Sequence, residues 1–129
     1  MSNFLNPTSM SLLEKKMDVV WMRQQVISDN IANAATPGYK RKTLEFESLL
    51  EGSLNGASGN RRAMEEAVNE VQPRVVEHRD TTAREDGNNV DEDFENVEMV
   101  RAYTEYSYLM TSLNAQVRRM KYVLTEGRG

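Results

Sequence analysis

The sequence predicts a mainly α, elongated fold in which two long terminal helices pair as an antiparallel coiled coil. An irregular middle segment with short helical or β pieces joins them. Two observations predict this. Near both termini apolar residues recur in alternating steps of four and three, the a/d spacing of paired helices. Between them the pattern gives way to a stretch rich in glycine, asparagine and charge. The chain of 129 residues reads as one unit. It comprises a helix over 8–35, a middle segment over 36–90 with a flexible loop at 51–60, and a helix over 91–125.

The first helix follows a frayed start. Asn6-Pro7 suits its opening, because proline at the first helical position loses no needed N–H. Its seam is Leu13, Met17, Val20, Gln24, Ile27, Ile31 and Ala34, with Trp21 and Val26 widening the stripe. One such helix alone is marginal in water, so a partner surface is implied. Thr36-Pro37-Gly38 stops it: proline excludes the α conformation from the residue before it, and glycine permits a tight turn.

The middle segment carries three local signals. Phe46, Leu49 and Leu50 fit one helical turn, and Met64, Ala67, Val68 and Val71 fit a short amphipathic helix ended by Pro73. Arg74 to Arg79, with β-branched Val75 and Val76, suits an extended stretch. Asp86-Gly87-Asn88-Asn89 is a turn by residue type.

The last helix has the longer seam: Met99, Tyr103, Tyr106, Met110, Leu113, Val117, Met120 and Leu124. Asp91, Glu92, Asp93 and Glu95 stand at its start, and Arg118, Arg119 and Lys121 near its end. Both groups oppose the helix dipole.

Composition narrows the function. The net charge is −4, with no basic stripe, which argues against nucleic acid. No apolar run reaches the roughly 18 residues of a membrane span, so direct membrane insertion is not expected. No basic segment precedes an apolar run at the start, so a cleaved signal peptide is not expected either. Cysteine is absent, which removes disulfides, thiolate metal sites and thiol nucleophiles. His78 is the sole histidine and sits in a polar stretch, read as a solvated surface residue. The acidic run 91–95 lacks the glycine position of a calcium loop and is read as capping and dipole compensation. No phosphate loop occurs. No catalytic residue, metal site or cofactor is expected. Methionines on both seams suit ordinary core filling first, and packing against non-equivalent neighbours in an assembly second.

The segment Asn30-Ile31-Ala32-Asn33-Ala34-Ala35-Thr36-Pro37-Gly38-Tyr39 is the most specific in the chain. It resembles the N-terminal signature of the bacterial flagellar rod and hook proteins, where the first helix runs into a Thr-Pro-Gly-Tyr turn. Ala35 departs from the Asp or Asn that many members carry. The turn Asp86-Gly87-Asn88-Asn89-Val90-Asp91, which opens the last helix, resembles the proximal members of the rod group. The two likenesses cover about residues 10–50 and 85–125.

That resemblance implies a structural subunit of the proximal rod of the flagellar basal body. Such a subunit is exported through the flagellar type III apparatus without a cleaved signal peptide and assembled in the periplasm. It transmits torque from the motor ring toward the hook. Its partners would be other copies of itself, other rod proteins, the rod-base adaptor and the motor ring. Its terminal helices would line the inner tube, with the middle segment outward or bridging subunits. The alternative is a cytoplasmic helical adaptor or secretion chaperone, which uses the same two seams to hold a client.

Overall fold

A computed structural model describes residues 7–81 and 83–127. Of the expected frayed start, residues 1–7, the first six lie outside the described residues and Pro7 already belongs to the first helix. Six elements follow in order: α1 (Pro7–Ala32), β1 (Lys42–Glu45), α2 (Glu47–Gly56), α3 (Arg61–Glu70), β2 (Arg74–Glu77) and α4 (Glu92–Glu126). The fold is mainly helical. The two terminal helices pack on each other, and a two-stranded sheet lies in the middle.

α1 is the shared wall of two apolar clusters. One side meets α4: Met17, Val20 and Ile27 are buried with Ala102 and Leu109, flanked by half-buried Leu13, Ile31, Met99, Tyr106 and Leu113. The other side meets the middle segment. There Val19 is buried with Leu44, Phe46, Leu50, Val68 and Val71, and Leu12, Val26, Leu49 and Leu54 pack around them. Leu12, Val19 and Val26 are seven residues apart, so they form a second row beside the main seam. Each fully buried side chain of this size contributes roughly 1.5–3 kcal/mol. Trp21 does not widen either row, being 55% exposed on the remaining flank.

The middle segment is more ordered than its composition suggests. β1 pairs antiparallel with β2, Lys42 opposite Glu77 and Glu45 opposite Arg74. Arg74 donates to Glu45 at 2.6 Å and Ser48 donates to the same carboxylate at 2.9 Å. These hydrogen bonds, Arg74's first, hold the Glu45 carboxyl below the usual carboxylate range. α2 covers residues 51–56 of the expected flexible loop at 51–60, leaving residues 57–60 as the connection. Glycine at 52 and 56 costs a helix about 1 kcal/mol each. Burial of Leu50 and packing of Leu49 and Leu54 offset that cost. α3 starts where the Asn60 side chain accepts the Ala63 N–H.

The α4 seam lies one residue away from the predicted one on half of its positions. The buried residues are Glu95, Ala102, Leu109 and Gln116, seven apart. Met99, Tyr106 and Leu113 lie between them, and Val117 and Met120 are half-buried. Tyr103 (58% exposed), Met110 (38%) and Leu124 (67%) face outward within the chain. Both rows satisfy the four-and-three spacing, and side-chain size alone favours the wrong one. Two features select the other: small Ala102 admits α1 closely, and Glu95 is drawn inward by a charge partner.

Candidate functional site: two interlocked turns

The turn that ends α1 and the turn that opens α4 are hooked into each other. Gly38 (φ 76°) and Gly87 (φ 82°) both occupy the left-handed region. A Cβ at Gly87 would stand 3.5 Å from the Gly38 Cα. The Gly38 N–H donates to the Asp86 carbonyl at 2.8 Å, and Lys40 Nζ donates to the Gly87 carbonyl at 2.5 Å.

Asparagines do most of the joining. Asn88 is fully buried. Its Nδ2 donates to the Asn33 carbonyl at 2.8 Å and the Thr36 carbonyl at 2.9 Å, capping the end of α1. Its Oδ1 accepts the Val90 N–H at 2.8 Å. Asn89 Oδ1 accepts the Arg41 N–H at 2.6 Å while its Nδ2 donates to the His78 carbonyl. Asp86 accepts the Asn88 N–H at 3.0 Å. Asp91 caps α4, accepting from Asp93 and Phe94.

The same logic explains the paired asparagines before the proline. Asn30 is fully buried and mimics a strand neighbour for β1. Its Nδ2 donates to the Lys42 carbonyl at 2.7 Å, and its Oδ1 accepts the Lys42 N–H at 3.0 Å. Tyr39 donates its hydroxyl to that same oxygen at 3.1 Å. Burial, with the charges of Asp29, Glu95 and Glu77, pushes the Tyr39 phenol up, so it stays protonated as a donor. Asn33 donates to the Asp29 carbonyl at 2.8 Å and accepts from Thr36 Oγ1 at 3.1 Å. Pro37 leaves the chain no N–H to satisfy at the bend.

Three residues of the clasp were not anticipated from sequence. Arg84 donates to the Val90 carbonyl at 2.8 Å and also to the Ala34 carbonyl. Arg41 pairs with Glu95 and lies 4.7 Å over the Phe94 ring. The Glu95 side chain is fully buried, and its Oε2 has no partner. It is therefore more than a dipole-compensating carboxylate. A charge seven residues before Ala102, on the α1-facing row, is the signal that marks it. No pattern marks Arg84. His78 is also no free surface residue: its Nε2 lies 2.7 Å from Thr43 Oγ1.

Among the described residues no cluster of His, Asp or Glu is placed to hold a metal ion. No described helix is long and apolar enough to cross a membrane. The predicted packing residues divide between two places. Leu13, Met17, Val20, Ile27 and Ile31 lie with Met99, Tyr106 and Leu113 in the α1–α4 cluster, whereas Tyr103, Met110 and Leu124 lie outside it.

A clasped pair of terminal helices around a small middle unit defines a helical building block. A family model described as flagella basal body rod protein matches residues 22–40, the end of α1 and its turn. The flagellar basal body rod protein FlgB of Bacillus subtilis is 32% identical over 119 residues, covering 90% of this chain and 92% of that protein. FlgB of Borreliella burgdorferi is 37% identical over 120 residues, covering 83% and 87%. FlgB of Escherichia coli is 29% identical over 120 residues, covering 81% and 84%. The chain belongs to the FlgB family of flagellar basal body rod proteins, structural components of the rod. The adaptor or chaperone alternative finds no support among these relatives.

Proposed function

We propose that the chain is a structural subunit of the proximal rod, built as one axial unit that passes torque from the motor ring toward the hook. The observation that carries this is the clasp. Its α1 half lies within residues 22–40, which the family model matches, and its hydrogen bonds to the turn before α4 make the two helices one element.

The helix pair acts as an antiparallel coiled coil. In support, Val26 and Ile27 share a recess with Glu95 and Glu98, while Leu12 and Leu13 share one with Leu109 and Gln116. Leu13, Met17, Val20, Ile27, Ile31, Met99, Tyr106, Leu113 and Met120 serve the pair. Tyr103, Met110, Val117 and Leu124 serve contacts between subunits. Asn30, Asn33, Thr36, Pro37, Gly38 and Tyr39 form the clasp with Asp86, Gly87, Asn88, Asn89 and Asp91. Export without a cleaved signal peptide through the flagellar type III apparatus, and assembly in the periplasm, complete the reading. Its partners are further copies, other rod proteins, the rod-base adaptor and the motor ring.

The test replaces the native copy with Ile27→Asp or Leu113→Asp. Non-motile cells whose detergent-extracted basal bodies lack a rod are expected. Normal rods in both strains would overturn the proposal.

A further inference from the structure

We infer that the outer edge of β2 pairs with an extended segment of a different protein, which adds a third strand to the sheet. That segment carries an apolar side chain opposite Val75 and a basic one opposite Glu77. The inference rests on the rod reading and adds to it a contact surface away from the terminal helices.

The two edges of the sheet are treated differently. The His78 N–H donates to the Arg41 carbonyl at 2.9 Å. Backbone groups alternate in direction along an antiparallel strand. The N–H and C=O of Arg74 and Val76 therefore point to β1, and those of Val75 and Glu77 point outward. By the same alternation Lys42 and Leu44 point away from β2. On that side the chain closes the edge itself. Asn30 meets both the N–H and the carbonyl of Lys42, and Arg23 donates to the Leu44 carbonyl at 3.2 Å. On the β2 side, no group among the described residues bonds the outward N–H and C=O of Val75 and Glu77. An added strand presents donors and acceptors in the matching alternation.

Side chains define the partner. Val75 stands opposite buried Leu44 on one face of the sheet, yet is 54% exposed. Glu77 stands opposite Lys42 on the same face, and its pair with Arg79 is a surface contact at 3.4 Å. A third strand continues both rows when it offers an apolar residue and a basic residue two positions apart.

A second copy of β2 does not fit. Antiparallel pairing is the more stable mode, and its register decides the match. Centred on Val75, it sets Glu77 against Pro73, which has no N–H to give. Centred on Val76, it sets Val75 against Glu77. Centred on Glu77, it opposes two like charges. β1 of a second copy has its outer edge closed by Asn30 and Arg23. Proline and charge on a short edge strand are devices against pairing with its own kind. The occupant is therefore a strand of another protein.

Residue-resolved hydrogen exchange reads the edge directly. In the purified chain the Val75 and Glu77 amides should exchange freely and the Val76 amide slowly. In basal bodies extracted with detergent, the outer two should slow by about tenfold or more. Unslowed exchange there, in rods that contain the chain, would overturn the inference and leave the rod reading in place. Val75→Pro removes an outward N–H and no bond to β1. The purified variant should keep its Tm while its strain loses motility. Val75→Ile, which keeps the N–H and the apolar side chain, should swim. A motile Val75→Pro strain with an unchanged melt would overturn the inference, and if that variant melts low the exchange comparison decides alone. The chain has no cysteine, so a benzophenone attached to Arg79→Cys labels one place. In basal bodies it should join the chain to a different protein, at a segment with the apolar and basic residues two apart. A dimer of this chain, or a product at a helix, would overturn the inference. Intact rods that lack the chain altogether would overturn the rod reading itself.

Discussion

The two ends of the α1–α4 pair are held by opposite means. At one end, α1 stops and α4 starts inside a polar clasp, where buried Asn30 and Asn88 satisfy backbone groups of both turns. At the other end apolar side chains bring them together. Leu12 and Leu13 meet Leu109 around an open recess of about 480 Å³, and every residue from 121 to 127 is exposed. Hydrogen-bonded turns fix geometry, because each unmet group costs a defined amount. Apolar attraction is non-directional and fixes geometry less strictly. The closed end sets the shape of the subunit, and in the proposed assembly the open end and flank are left for neighbours.

The largest effect should follow from breaking the closed end. Asn88→Leu leaves the Asn33 and Thr36 carbonyls and the Val90 N–H without their partner. At about 1–3 kcal/mol per buried orphan, a loss of about 3–5 kcal/mol is expected. That is a large share of the stability of a small domain. Denaturant melts of the purified chain measure it. A loss under 1 kcal/mol would show that the clasp does not hold the helices.

Arg41→Ala should come next. It leaves the fully buried Glu95 carboxylate unpaired, and removing one partner of a buried pair costs about 3–5 kcal/mol. Arg41 is partly exposed, so some water reaches the site and the lower end is expected. Glu95→Gln should cost less, because it removes the buried charge instead of stranding it. If Glu95→Gln proves the more damaging of the two, burial of the charge is not what the arginine offsets.

Gly87→Ala should be smaller again. Its 3.5 Å approach to Gly38 is ordinary contact, so the cost is the left-handed backbone alone, about 1–2 kcal/mol. Gly52→Ala, in helical α2 with open space around it, should stabilise by about 1 kcal/mol instead. Opposite signs for two glycines would separate clasp geometry from general flexibility.

These contrasts show what was legible in the sequence. Helix starts were, because Pro7 and the Asp91 cap are local signals, whereas α1 ends at Ala32, three residues before the expected end at 35. So were α3 and the extended stretch that became β2. β1 was not. Among its four residues only Leu44 is buried, and its partners are Asn30 on one edge and β2 some thirty residues onward. The motif asparagines stood out in sequence, yet their purpose did not, since Asn88 acts on carbonyls more than fifty residues away. The α4 phase failed for a related reason. Tyr103 and Met110 outrank Ala102 and Leu109 by size, but Glu95 and the approach of α1 decide the rotation. Long-range polar pairing leaves no periodicity to read.

A pH titration should separate the sheet from the clasp. Glu45 sits in the sheet, and Arg74 and Ser48 hold its carboxyl below the ordinary range. The depressed group contributes stability that is present above the unfolded value and lost as pH falls through the folded one. The expected loss therefore begins below about pH 4.5, the ordinary value. It should be small, because the pair lies at the surface. Arg74→Ala should flatten that part of the profile of melts between pH 6 and 3. An unchanged slope would assign the acid sensitivity to other carboxylates.

The smallest effect on the isolated chain should come from the open flank, and there it is most informative. Leu124 is 67% exposed, so Leu124→Ser removes little packing within the subunit. Surface changes of this kind stay within about 0.5 kcal/mol. Its melt should overlay that of the unaltered chain, whereas Asn88→Leu shifts it strongly. In cells the order should draw level: Leu124→Ser should impair motility despite a normal fold, because its row is spent on neighbours rather than on the core. If motility tracks subunit stability alone across the two variants, the outward row carries no assembly energy. If Leu124→Ser swims poorly with an intact melt, closed end and open flank have separate duties.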